Sequence, residues 1–219
     1  MALDNSSYLG VVTATSQSAS FTVGSGSNRY LLVGVTGTTA GADVITGVTY
    51  NGSSLTKVGS SVQPTGGRWI SLWYLLAPAS GSNTLTVNAS GSDWIETTVV
   101  SLQDIKQITP EANNSSTATG TTNGSVSITP VSNYSFIFAY IKSGGGQTVG
   151  ANTSLIKGSG SDGSFDNGFV QRSDNPITDQ TSKTIAWTTS GSNTKSALAV
   201  SLEGIPGVAS GGSFLTNFV

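Results

Sequence analysis

Residues 86–105, TVNASGSDWIETTVVSLQDI, and residues 186–205, AWTTSGSNTKSALAVSLEGI, agree at 7 of 20 positions without a gap. A chain that contains a segment twice must fold into something that each half can build, so this repeat constrains the architecture before any motif does. The same offset of 100 pairs Ser54-Leu55-Thr56-Lys57 with Ser154-Leu155-Ile156-Lys157, and Thr84-Leu85 with Thr184-Ile185. Nearer the start of each copy the offset becomes 105, where Ser20-Phe21-Thr22-Val23 meets Ser125-Val126-Ser127-Ile128 and Leu31-Leu32-Val33 meets Phe136-Ile137-Phe138. The chain therefore reads as an N-terminal arm (1–9), a first repeat (10–105), a polar linker (106–122), a second repeat (123–205) and a flexible C-terminal docking tail (206–219).

Each copy consists of short apolar-alternating segments separated by turn residues every 8 to 12 positions, the pattern of a β-sandwich or barrel. In the first copy the strands fall near 19–23, 30–36, 44–50, 54–58, 68–76, 83–89 and 94–103, and seven strands make two sheets. The predicted fold class is all-β: two tandem β-sandwich domains, jelly-roll or Ig-like, from an internal duplication. Asn51-Gly52 between alternating segments predicts a tight hairpin, because positive φ is least costly there. The second copy lacks that pair and carries Gly144-Gly145-Gly146, which predicts a degenerate third strand or a longer turn. Ser, Thr and Gly dominate the 219 residues, a composition that favours strands and turns over helices.

Charge and reactive side chains exclude most function classes. Only 9% of residues are charged and the formal net charge is −2, so there is no basic surface for nucleic acid or for an anionic membrane. With no Cys and no His, the chain has no disulfide, thiolate, imidazole base or Cys/His zinc site, and no cofactor is expected. The first nine residues have neither a basic nor an apolar run, and no apolar segment reaches the roughly 18 residues that span a bilayer. A protein made in a host cytoplasm that works on a virion surface meets these conditions. A bacterial extracellular protein trimmed of its leader is the alternative.

The series Val48-Thr49-Tyr50-Asn51-Gly52, Leu55-Thr56-Lys57-Val58, Leu72-Trp73-Tyr74-Leu75-Leu76-Ala77-Pro78 and Asn83-Thr84-Leu85-Thr86-Val87 resembles tandem β-sandwich modules of bacteriophage structural proteins, both capsid-decoration and fibre, and of bacterial surface proteins. The resemblance covers the first copy well and the second only at its closing strand. It implies a structural or adhesive module with no catalytic residues to carry over. The second copy departs from it in having Phe165 to Arg172 where the Trp-Tyr-Leu strand should lie.

Arg68 to Leu76 is the most informative segment. With a period of two, Ile70, Leu72, Tyr74 and Leu76 share one face, and Trp69, Ser71, Trp73 and Leu75 the other. If the first face enters a core, Trp69 and Trp73 project outward beside Arg68, to meet the second copy, another subunit or a sugar ring. Trp94 follows Ser90-Gly91-Ser92-Asp93 and is expected near a loop tip, whereas Trp187 aligns with Val87 and reads as core. Asp162, Ser164 and Asp166 alternate as in a calcium loop, but the closing Glu is missing and an ordinary turn accounts for them. Asp93/Glu96 and Asp174/Asp179 are the nearest carboxylate pairs, and nothing in the sequence sets a catalytic separation. Ser54-Leu55-Thr56-Lys57 has the letters of a Ser-Lys motif without its strand-to-helix context. Phe214, Leu215, Phe218 and Val219 end the chain after a Gly-rich leash and are expected to dock on a neighbour.

These readings predict a non-enzymatic virion structural protein, of the capsid-decoration (cement) or fibre-like surface kind. Its expected partners are other virion proteins and itself, as a homo-oligomer with a trimer favoured. The alternative is a carbohydrate-binding or adhesive module that takes a cell-surface glycan.

Overall fold

Runs of β-branched and aromatic residues at period two, broken by Gly, Asn and Pro, produce strands and no helix among the described residues. The computed structural model describes residues 1–38, 43–159, 165–172 and 176–206. The strands are β1 (Ala2–Val23), β2 (Tyr30–Gly37), β3 (Ile45–Tyr50), β4 (Ser53–Ser54), β5 (Thr56–Lys57), β6 (Trp69–Leu76), β7 (Gly81–Gln103), β8 (Ala112–Ile128), β9 (Ser135–Val149), β10 (Thr153–Gly158), β11 (Phe165–Arg172) and β12 (Lys183–Glu203). Asn51 and Gly52, at φ 49° and 76°, make the expected tight turn between β3 and β4.

Each half of the chain forms one sheet, and this corrects the expectation of two sheets per copy. The first sheet runs β4-β3-β7-β2-β6-β5, with β1 on the other edge of β7, and the second runs β10-β11-β9-β12-β8. The segments expected as separate strands at 83–89 and 94–103 are one strand, β7. Ser90 to Asp93, read as a turn, continue it in extended form because β1 pairs with β7 on both sides of that stretch. In the second half β9 is likewise continuous through Gly144-Gly145-Gly146, where its register with β12 shifts.

The two sheets follow the same order, with β8, β12, β9, β11 and β10 standing where β1, β7, β2/β3, β6 and β4/β5 stand in the first. Ladder pairing also corrects one register. Tyr30 pairs with Leu102, and Phe136 with Leu202, so the equivalence in this strand is offset by 106 and Tyr30, not Leu31, matches Phe136. A slip of one residue would have turned every side chain to the wrong face.

Three clusters fill the fold. One lies inside the curl of the first sheet, which β4 and β5 nearly close by passing from the edge of β3 to that of β6; it holds Phe21, Leu31, Val33, Tyr50, Trp69, Trp73 and Leu85. A second, with Val126, Ile137, Ile141, Ile185 and Trp187, lies on the matching side of the second sheet. The third joins the sheets: Tyr30, Leu32, Ile70, Leu72, Tyr74, Val100 and Leu102 from one half meet Phe136, Phe138, Tyr140, Phe169, Leu198, Val200 and Leu202 from the other. A Cβ on Gly34 would come within 2.3 Å of the Tyr140 ring, so the sheets approach there as closely as glycine allows.

The segments expected as arm and linker are largely strand. Residues 2–9 begin β1, and residues 112–122 begin β8. Matching carboxylates fasten both. Asp4 Oδ2 accepts from the Gly24 amide and from Ser101 Oγ, each at 2.7 Å, while Glu111 accepts from the Ser132 amide at 2.8 Å and from Ser201 Oγ at 2.6 Å.

Candidate functional site: the polar end of the inter-sheet core

The faces that the two sheets turn toward each other change character along their length. On β6 the inward row is Ile70, Leu72, Tyr74, preceded by Arg68. On β7 it is Trp94, Glu96, Thr98, Val100, Leu102. On β9 it is Phe136, Phe138, Tyr140, Lys142, and on β12 it is Ser196, Leu198, Val200, Leu202. Alternation thus carries each strand from an apolar end to a polar one, and the polar ends converge.

Glu96 is the centre of that cluster. It is buried, and its Oε1 accepts the Tyr8 hydroxyl proton at 2.7 Å. Its Oε2 lies 3.6 Å from Lys142 Nζ of the opposite sheet and 3.8 Å from Arg68 Nη1. Both distances are those of ion pairs and exceed hydrogen-bond range. The Arg68 guanidinium lies over the Trp94 ring, 3.7 Å from its centroid, a cation–π contact that explains why Trp94 is half-buried and not at a loop tip. Thr98 Oγ1 donates to Asn167 Oδ1 at 3.2 Å, linking β7 to β11 across the sandwich.

Burial shapes the protonation of these groups. Desolvation holds the Lys142 ammonium below its ordinary value against the pull of Glu96, and it raises the Tyr140 and Tyr8 hydroxyls, the latter also through the bond to Glu96. Glu96 Oε2, Tyr140 OH, Asn167 Nδ2 and Ser196 Oγ are all buried without a hydrogen-bond partner among the described residues. Such atoms are rare in native interiors, and these four lie beside the charged groups of the seam. Lys142 and Ser196 are ladder partners, and no hydrogen bond joins their side chains.

The sequence-predicted residues separate on this geometry. Arg68 and Trp94 come together in the cluster. Trp69 and Trp73, 1% and 7% exposed, lie inside the first sheet's curl and present no face to a sugar or a partner, which corrects the expected platform. The reason is that the opposite face, Ile70-Leu72-Tyr74, is taken by the second sheet, and the curl of the first sheet encloses the indoles. Trp187 is core, as expected. Asp93 is buried beside Glu96 in sequence but on the other face of β7, bonding Thr38 Oγ1 at 2.8 Å, so the two do not form a carboxylate pair. Asp162, Ser164, Asp174 and the tail residues Phe214, Leu215, Phe218 and Val219 lie outside the described residues; Asp166 is exposed, and no His/Cys/Asp/Glu cluster suited to a metal occurs among the described residues.

Glu96 as a hub, Lys142, Tyr8, Asn167 and Ser196 were not singled out by the sequence reading. The signal was present where the repeat fails: Glu96 stands opposite Ser196 at offset 100, and Lys142 stands opposite Thr36 at the corrected offset of 106. Charge replaces small hydroxyls there within otherwise matched strands.

The fold and its site define an all-β, two-sheet protein with a charged seam. No protein-family model matches the chain, and no curated protein matches it. Among solved structures it is similar to the crystal structure of the major capsid protein P2 from bacteriophage PM2, at 10% identity over 94% of this chain and 97% of that one, with a TM-score of 0.28, too distant to define a common fold.

Proposed function

We propose that this chain is a structural subunit of a virion surface, of the capsid-decoration or fibre-like kind, that joins neighbouring copies and other virion proteins through its sheet edges. The observation that carries this reading is the pair of long edge strands. Among the described residues β1 pairs in ladders only with β7, and β8 only with β12, so each has a side that no other strand covers, although side chains of the same strands reach part of it, Asn5 to the Thr22 carbonyl on β1 and Asn114 to the Ser127 carbonyl on β8. Sheet edges are ordinarily protected by charge or proline. β8 has neither, and the one charged residue of β1, Asp4, is turned inward to Gly24 and Ser101. Leu3 and Val11 are exposed on β1. A neighbour's strand can add to such an edge, and repeated weak contacts on a lattice sum to firm attachment.

The test is light scattering of the purified chain against a β8 variant, Ser115→Lys with Thr117→Lys, and a β1 variant, Val11→Lys. Wild type should form concentration-dependent oligomers, and at least one variant should shift to monomer with its circular dichroism unchanged. A wild-type monomer at all concentrations, or oligomers indifferent to both variants, would overturn the reading.

A further inference from the structure

We infer that the cleft at the polar end of the inter-sheet core binds a small oxyanion, a carboxylate or a phosphate group, between Arg68 of one half and Lys142 and Ser196 of the other. The cleft has a volume of about 200 Å³ and is lined by Arg68, Lys142, Ser143, Thr194 and Ser196, with Gly67 and Gly144 leaving backbone exposed beside them. That is below the roughly 300 Å³ at which pockets for drug-sized ligands begin, and it suits a single charged group.

Three observations select an anion. First, both cations line the cleft while Glu96, which pairs with each of them, does not, so the cleft wall itself is cationic. Arg68 offers five N–H groups and Lys142 three, and among the described residues the only acidic group within ion-pair distance of either is Glu96, at 3.8 Å and 3.6 Å. Second, the Lys142 side chain is only 5% exposed, against 38% for Arg68. A charge so far removed from water, with one ion pair at 3.6 Å, is under-satisfied and gains from a charge-assisted bond. Third, Ser196 Oγ is buried in the same wall without a partner among the described residues. A cation would meet two positive charges, and an apolar group would leave the donors unpaired.

The site does not depend on the assembly role and is tested separately. Sodium phosphate, sodium acetate and sodium glucuronate are titrated calorimetrically at fixed ionic strength set with sodium chloride, using the full chain. Expected is saturable 1:1 binding of at least one of them, weakened about tenfold or more by Lys142→Met and by Arg68→Ala and about threefold to tenfold by Ser196→Ala. Ser196→Ala removes only a hydroxyl, so it keeps the test sound should Lys142→Met fail to fold. Phosphate alone binding identifies a free tetrahedral ion, and acetate with glucuronate identifies the carboxylate of a larger molecule. No saturable heat from any of the three, or binding that Ser196→Ala and Arg68→Ala leave unchanged, overturns the inference.

Discussion

At the scale of single residues, the seam charges govern how stability responds to alkali. Lys142 titrates below the ordinary lysine value of 10.5, with burial as the first cause, Glu96 and Asp166 opposing it and Arg68 adding to it. Between its folded value and 10.5 the unfolded chain binds more protons than the folded one, so stability rises with pH across that window. Above about pH 10 the hydroxyls of buried Tyr30 and Tyr140 and of half-buried Tyr8, all raised in the fold, reverse the sign, because the unfolded chain releases those protons first. Urea midpoints measured from pH 7 to 11 should climb and then fall in the wild type. In Lys142→Met the climb should be flattened while the fall remains. Sequence alternation placed these residues on one face, but nothing in it said that the face was covered. Arg68 and Trp94 were legible as interface-type side chains, whereas Lys142 and Glu96 become conspicuous only when two strands from opposite halves are laid together.

Elements are where the sequence reading was both strongest and most misleading. The aromatic segment Trp69 to Leu76 and the Asn51-Gly52 turn were legible from local chemistry, since pattern and positive φ are decided within a few residues. Strand continuity is not local. Ser90-Gly91-Ser92-Asp93 has turn composition, yet partners on either side hold it extended within β7. The opening strands were cut short for a related reason: residues 2–9 and 112–122 are exposed or only half-buried along their length, and a strand that edges a sheet shows no buried period. Their ladders to β7 and β12 hold them, and Asp4 and Glu111 fasten their ends. Asp4→Ala should leave the Gly24 amide and the Ser101 hydroxyl without an acceptor, and Glu111→Ala should do the same to Ser132 and Ser201. Each substitution should destabilise by about 1.5–3 kcal/mol and raise amide exchange along β1 or β8 respectively, read by urea unfolding and hydrogen exchange.

For the whole molecule, the repeat was visible in sequence but its arrangement was not. Two copies of about domain size suggested two tandem sandwiches, each with its own two sheets, whereas the inward faces of both sheets are apolar and each needs the other. β6 lies against β12 while β11 lies against β7, so equivalent elements exchange roles across the interface, as in an isologous dimer. The joint cluster, with Tyr30, Phe136, Tyr140 and Leu202 fully buried, leaves neither half a finished core alone. Calorimetry should therefore show one unfolding transition with equal calorimetric and van't Hoff enthalpies, and Gly34→Ala, which forces the sheets apart at Tyr140, should lower that single transition as a whole. Two resolved transitions would contradict the shared core.

Placing both β1 and β8 in one polypeptide has a genetic corollary. When identical subunits pair, every mutation appears on both rims at once and self-complementarity limits what either can become. Here Leu3 and Val11 can be altered without touching the hydroxyl-rich rim of β8. The two rims can thus diverge separately, so that one molecule carries two edges of different chemistry.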